Sequence, residues 1–205
     1  MSNQIKFLSV LGAALLLIIY AIAGITTIQP GYTGLRIKML GTGQGVIDTI
    51  STGTTWIEPF TYDVKNYDSR SRQYPEEKQI PSSPKDGQPI EVDVSLEIGL
   101  DSSKIPKLHN AIGSDWYERV VLPALRAEMR NEPAQYLSDV AYTGVGRRAI
   151  QDHVQSNLRF RYADYGINIT INMRALNFTN PDYVKTLEEK AKAAQKVIIE
   201  ERNAD

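Results

Sequence analysis

The sequence predicts an α+β fold: a single N-terminal transmembrane helix, a domain of antiparallel sheet plus helices, and a C-terminal coiled-coil helix. Three observations carry this. Phe7 to Ile28 is 22 residues without a charge. Two segments alternate apolar and polar residues with a period of two, and helical patterns lie between them. After Asn180-Pro181-Asp182 the chain becomes a breaker-free run rich in Ala, Glu and Lys with apolar residues three and four apart. The predicted organisation is a tail over 1–6, the membrane helix over 7–28, one domain over 30–178, and the start of a coiled-coil helix over 180–205.

As a helix, Phe7–Ile28 extends about 33 Å, the depth of a bilayer's hydrocarbon core. Leu11, Leu15, Leu16, Leu17, Ile18 and Ile19 form its centre. The competing reading is a signal peptide, with Lys6 as the positive region and Ala21-Ile22-Ala23 as a cleavage site. The apolar run continues past that site, which favours a retained anchor. Lys6 on one flank and Arg36 and Lys38 on the other leave orientation nearly undetermined by charge.

Pro30-Gly31-Tyr32-Thr33-Gly34 is a turn cluster that leaves almost no linker between helix and domain. Short strand-like runs follow at Leu35–Leu40, Val46–Ile50, Thr54–Ile57 and Tyr62–Tyr67. Gly41, Gly43 and Gly45 alternate as in a phosphate loop, but no Lys-Ser/Thr pair follows, so a hairpin turn is predicted. Pro81 to Pro89 reads as a polar turn. Ile90, Val92, Val94, Leu96, Ile98 and Leu100 then alternate with Glu91, Asp93, Ser95, Glu97 and Gly99, a strand with one buried face.

Helices are predicted over Ser103–Ile112, within Trp116–Arg130 with a start or kink at Pro123, over Pro133–Tyr142, and over Gly144–Tyr165 with Ile150, Val154 and Leu158 on one stripe. Ile167 to Ala175 is a second alternating strand, expected to share a sheet with the first. Asn180, Pro181 and Asp182 suit a helix start. The apolar seam of that helix is Val184, Leu187, Ala191, Ala194 and Ile198, proposed to mediate oligomerisation. With no C-cap before Asp205, the native chain is expected to continue.

Chemistry is conspicuous by what is missing. The absence of cysteine removes disulfides, thiolate nucleophiles and cysteine metal sites. A net charge of −1 speaks against nucleic acid. His109 and His153 have no metal-ligand spacing, and Glu76-Glu77 and Glu188-Glu189 are adjacent rather than convergent. No catalytic, cofactor or metal residues are predicted. Arg147, Arg148, Arg159 and Arg161 form a modest basic cluster that reads as a solvated face.

The order of elements resembles the SPFH, or band 7, superfamily, and within it the prohibitins. The resemblance rests on Pro30-Gly31, on Tyr67-Asp68-Ser69-Arg70-Ser71-Arg72, and on Ser83-Pro84-Lys85-Asp86-Gly87-Gln88 before the alternating strand. It rests also on Ile112 through Pro123 and on Tyr165-Gly166-Ile167. It implies a non-enzymatic scaffold that forms a ring or cage with itself or a close paralogue. Such a scaffold organises membrane lipids and sequesters or regulates a membrane-anchored AAA protease. It also implies a single-pass protein of a bacterial or mitochondrial inner membrane, with a short N-terminal tail and the bulk on the far side. The alternatives are a stomatin-like regulator of one integral membrane protein, and a cleaved secreted or periplasmic protein.

Overall fold

The computed structural model describes residues 2–204, with side-chain surroundings from Phe7 onward except at 187, 188, 191, 194, 197, 198 and from 200 on. The chain divides into two compact units. One comprises Met1–Ser71, Gly99–Ser114 and Asp164–Gly166, and the other comprises Arg72–Ile98, Asp115–Ala163 and Ile167–Asp205.

The first unit begins with helix α1, Ser2–Ala23. The predicted helix over 7–28 is therefore too long at its C-terminal end. Ile25–Ile28 is instead strand β1, antiparallel to β4, Gly53–Trp56, with Ile25 opposite Trp56 and Ile28 opposite Gly53. The reason is nonlocal. β-branched Ile25, Thr26, Thr27 and Ile28 favour a strand once a partner strand is available, and that partner lies about thirty residues away, beyond the reach of local periodicity. Among the described residues no helix is long and apolar enough to cross a membrane. The stretch from Phe7 to the helix end at Ala23 covers about 26 Å, about three residues short of a full span.

β2, Tyr32–Lys38, is the centre of a three-stranded antiparallel sheet, between β3, Gly45–Ile50, and β5, Tyr62–Asp68. Gly41, Gly43 and Gly45 all have positive φ at the β2–β3 tip. The glycine alternation is thus a hairpin device, as its sequence context indicates. Helix α2, Ile105–Ala111, follows a 3-10 turn at Ser102–Lys104. Leu35, Tyr67, Ile105 and Leu108 are among the first unit's buried apolar residues.

The second unit is organised on β8, Ile90–Leu100. β6, Arg72–Gln73, and β7, Glu77–Ser82, pair with successive stretches of it, with Tyr74 N–H donating to Leu96 O between them, and β9, Ile167–Phe178, also pairs with β8. Every predicted inward residue of β8 is buried. The predicted polar turn begins too early, because Pro81 and Ser82 belong to β7, opposite Glu91 and Ile90. Pro81 is exposed there, as suits a residue unable to donate to a ladder.

The Pro123 question has a specific answer. Leu122 N–H bonds to Tyr117 O, an i→i−5 bond closing a π-turn over Tyr117–Val121, and α3 runs from Leu122 to Asn131. Pro123 cannot supply the next ladder donor, so the register loosens just before it. α4, Ser138–Tyr142, precedes α5, Gly144–Tyr162, whose buried stripe is Gly146, Ile150, Val154, Leu158 and Tyr162. α5 also closes one edge of β9. Gln155 Oε1 accepts from Ile171 N–H at 2.9 Å, Gln151 Oε1 accepts from Met173 N–H at 3.0 Å, and Arg159 Nε donates to Ile169 O at 2.5 Å. α6, Pro181–Ala204, ends the chain. A coiled coil is not established by it. Of the predicted seam, Val184 is half-buried, and the side chains of Leu187, Ala191, Ala194 and Ile198 lie outside those described.

Candidate membrane-facing site

Among the described residues, α1 carries a long row of exposed apolar side chains. Leu11, Leu15, Leu16, Leu17, Ile18 and Ile19 are between 54% and 69% exposed, although water is the costliest environment for such side chains. Exposed apolar side chains recurring from Phe7 to Ile22 mark an interaction surface.

The end of α1 is fastened to the first unit by a compact joint. Trp56 Nε1 donates to Ala21 O at 2.9 Å, and Ile57 N–H donates to Gly24 O at 2.7 Å. These bonds satisfy carbonyls that a helix C-terminus would otherwise leave unpaired. The contact depends on glycine. A Cβ at Gly24 would lie 2.5 Å from Trp56 Cε2 and 2.6 Å from Ile57 O. Tyr20 completes the joint, edge-on to Trp56 with centroids 5.5 Å apart and stacked on Phe60 at 6.1 Å.

Around this joint the domain surface is also apolar. Ile25, opposite Trp56, is exposed, as are Phe60, Met39 and Leu40. Met39 N–H donates to Thr61 O at 2.8 Å, which places the β2–β3 tip beside Phe60. Lys38 Nζ is bonded to Thr42 O at the same tip. Aromatic rings with one polar edge beside an apolar helix, together with a lysine, are the side chains that settle at a lipid headgroup boundary. Sequence reasoning missed Tyr20, Gly24, Trp56 and Phe60. The available signal was Trp56 and Phe60 flanking Glu58-Pro59 in one loop.

The remaining chemistry-bearing residues have structural partners. Tyr67 OH lies 2.6 Å from His109 Nδ1, and burial, with Lys65 second, holds His109 below the usual histidine range. His153 Nδ1 lies 2.9 Å from Glu132 Oε1 and 3.1 Å from Tyr136 OH. Three of the four arginines in the predicted basic cluster have separate partners. Arg147 lies over the Tyr142 ring, Arg159 serves β9, and Arg161 pairs with Glu128 at 2.9 Å. Glu77 pairs with Arg126, separating it from Glu76, which faces Lys78. Among the described residues no group of three His, Cys, Asp or Glu could hold a metal.

The family model for the SPFH domain / Band 7 family matches residues 26–205. The chain belongs to the SPFH/Band 7 family. Its members are generally membrane-associated, non-enzymatic scaffolds. The matched region begins inside β1, so it contains Trp56 and Phe60 but not α1. No curated protein matches the chain.

Proposed function

We propose that this SPFH protein is a non-enzymatic membrane scaffold of prohibitin type. α1 is a single-pass anchor, with a short tail on one face and both folded units on the other. Copies of the chain, or of a close paralogue, stand side by side in a ring or cage. The enclosure separates a lipid patch and a membrane-anchored AAA protease from its surroundings. The observation that carries this reading is the joint at Gly24 and Trp56, which ties an exposed apolar helix directly to an SPFH domain.

The span is short by about 4 Å against a hydrocarbon core of about 30 Å. Local thinning of the bilayer accommodates such a mismatch at a fraction of a kcal/mol per Å. The joint matters for assembly because it removes a flexible linker, so every anchored copy presents its flanks at one height. Weak lateral contacts then gain from the high effective concentration in the membrane plane. The seam Val184, Leu187, Ala191, Ala194 and Ile198 supplies one such contact.

Alkaline carbonate extraction tests the anchor. Wild type should remain in the membrane pellet, and Leu16→Arg, which costs about 2.5–3.5 kcal/mol at a helix centre, should shift the protein to the supernatant or block insertion. Mass photometry in mild detergent tests the assembly. A wild type that runs as a monomer or dimer would refute the ring, and a soluble wild type would refute the anchor.

A further inference from the structure

β8 carries a polar set, Glu91, Asp93, Ser95, Glu97 and Gly99, alternating with its core residues. Of these only Ser95 is buried, at 3% exposure. Its hydroxyl oxygen accepts from Arg174 Nε of β9 at 3.4 Å. A serine hydroxyl also has a hydrogen to donate, and among the described residues nothing accepts it. Ser95 lines a concavity of about 370 Å³ together with Arg72 of β6, Tyr74 and Glu76 of the link to β7, and Arg174. The unused hydrogen is therefore available to a group that enters there.

The two arginines provide the second observation. Arg36, Arg70, Arg126 and Arg161 each pair with a carboxylate. Among the described residues neither Arg72 nor Arg174 has an ion-pair partner, yet both are held in place. The Arg72 guanidinium lies 5.3 Å from the centroid of the Tyr74 ring. That ring is itself 4.2 Å from Tyr117 and edge-on to buried Trp116 at 6.1 Å. Arg174 is placed by Ser95. Guanidiniums positioned by a ring face and a hydroxyl, rather than by a carboxylate, keep their charge and most of their donors for a ligand. Glu76, which also lines the concavity, is drawn to Lys78 at 3.8 Å.

We propose that this concavity binds a phosphate monoester. A carboxylate offers two coplanar oxygens, and a single guanidinium satisfies both. A phosphoryl group offers three terminal oxygens and close to two negative charges above about pH 7. That matches two arginines, on strands that each pair with β8, together with the buried hydroxyl of β8. The concavity has room for the alcohol part of the ester as well, whose hydroxyls Gln73 and Glu76 can accept there. All of these residues belong to the second unit, so the site is independent of how copies assemble.

The test uses the full chain in mild detergent, titrated calorimetrically with sn-glycerol 3-phosphate above about pH 7. Saturable binding at one site per chain is expected. Arg72→Gln and Arg174→Gln should each weaken it roughly tenfold or more, and Ser95→Ala by roughly two- to tenfold. Both arginines are exposed, so melts of their ligand-free variants should match wild type. Arg148→Gln removes the same charge from an exposed arginine of α5 and should bind as wild type does. A second arm follows the melt after phosphatidic acid, or phosphatidylcholine as control, is doped into the micelle. Stabilisation by phosphatidic acid that disappears in Arg174→Gln would assign a lipid headgroup as the ester, and a response to glycerol phosphate alone would assign a soluble one. Saturable binding of neither probe would overturn the proposal. So would an equal loss in Arg148→Gln, or acetate competing as well as the ester.

Discussion

Gly24→Ala should open the joint between α1 and the first unit. The added Cβ would stand 2.5 Å from Trp56 Cε2 and 2.6 Å from the Ile57 carbonyl oxygen. Both are well inside ordinary contact distance, and the second is backbone, so rotating the indole does not relieve it. Opening the joint removes the Ile57–Gly24 and Trp56–Ala21 hydrogen bonds, worth about 1 kcal/mol each. It also weakens the Tyr20–Trp56 edge contact, worth about 0.5–1.5 kcal/mol. The sum is about 2.5–3.5 kcal/mol, which corresponds to roughly 70- to 400-fold faster exchange of the Ile57 amide. Hydrogen exchange with mass readout on a peptide covering residues 53–60 in detergent measures it. Gly12→Ala is the control, because nothing lies within 4 Å of a Cβ there. It should be neutral or stabilising by up to about 1 kcal/mol through helix propensity. Unchanged protection of Ile57 in Gly24→Ala, or equal effects of the two substitutions, would refute the account of the joint.

Val94→Asp should unfold the second unit, since Val94 has no exposure and an isolated charge there has no partner. Asp93→Asn should cost under about 1 kcal/mol, because an amide oxygen can still accept the Gln79 N–H now bonded at 2.7 Å. Thermal melts of equal midpoint would contradict the assigned faces. Gln151→Ala with Gln155→Ala leaves the Ile171 and Met173 amides without acceptors. It should destabilise by about 2 kcal/mol and speed aggregation, read by denaturant melts and light scattering, and a silent double variant would refute the edge role. His109 gives a pH dependence. Its folded pKa is depressed, so the folded state binds the proton less readily than the unfolded chain. Stability is full above the unfolded value of about 6.5 and falls as pH drops below it. His109→Gln should flatten that slope in melts on either side of about pH 6.5, and an unchanged slope would show that other groups set it.

Much of the second unit was legible because its signals are local. β8 and the buried part of β9 declare themselves by alternation and α5 by its Ile150–Val154–Leu158 stripe, and in the first unit the β2–β3 tip does so by glycines that take positive φ. The π-turn before Pro123 was legible as a disturbance but not as a type, since the missing donor says only that the ladder changes. The end of α1 was not legible. Ile25–Ile28 continues the apolar run, and only pairing with β4 turns it into strand. The site suffered most from the same limitation, because Tyr20, Gly24, Trp56 and Phe60 become a unit only after the chain returns about thirty residues later.

The α5 side chains on β9 set a condition on any crowded arrangement of this protein. Copies fixed in one membrane plane meet at effective concentrations of about a millimolar or more. An unguarded strand edge at that density would recruit its counterpart on the next molecule and lengthen the sheet without limit. Gln151, Gln155 and Arg159 occupy the Met173 and Ile171 amides and the Ile169 carbonyl of that edge, spaced four residues apart along α5 so that all three reach one strand. Backbone zippering by a neighbour is thereby obstructed over Ile169–Met173. Growth is left to side-chain surfaces, whose shape can fix an angle between copies and so bring an array to a finite end.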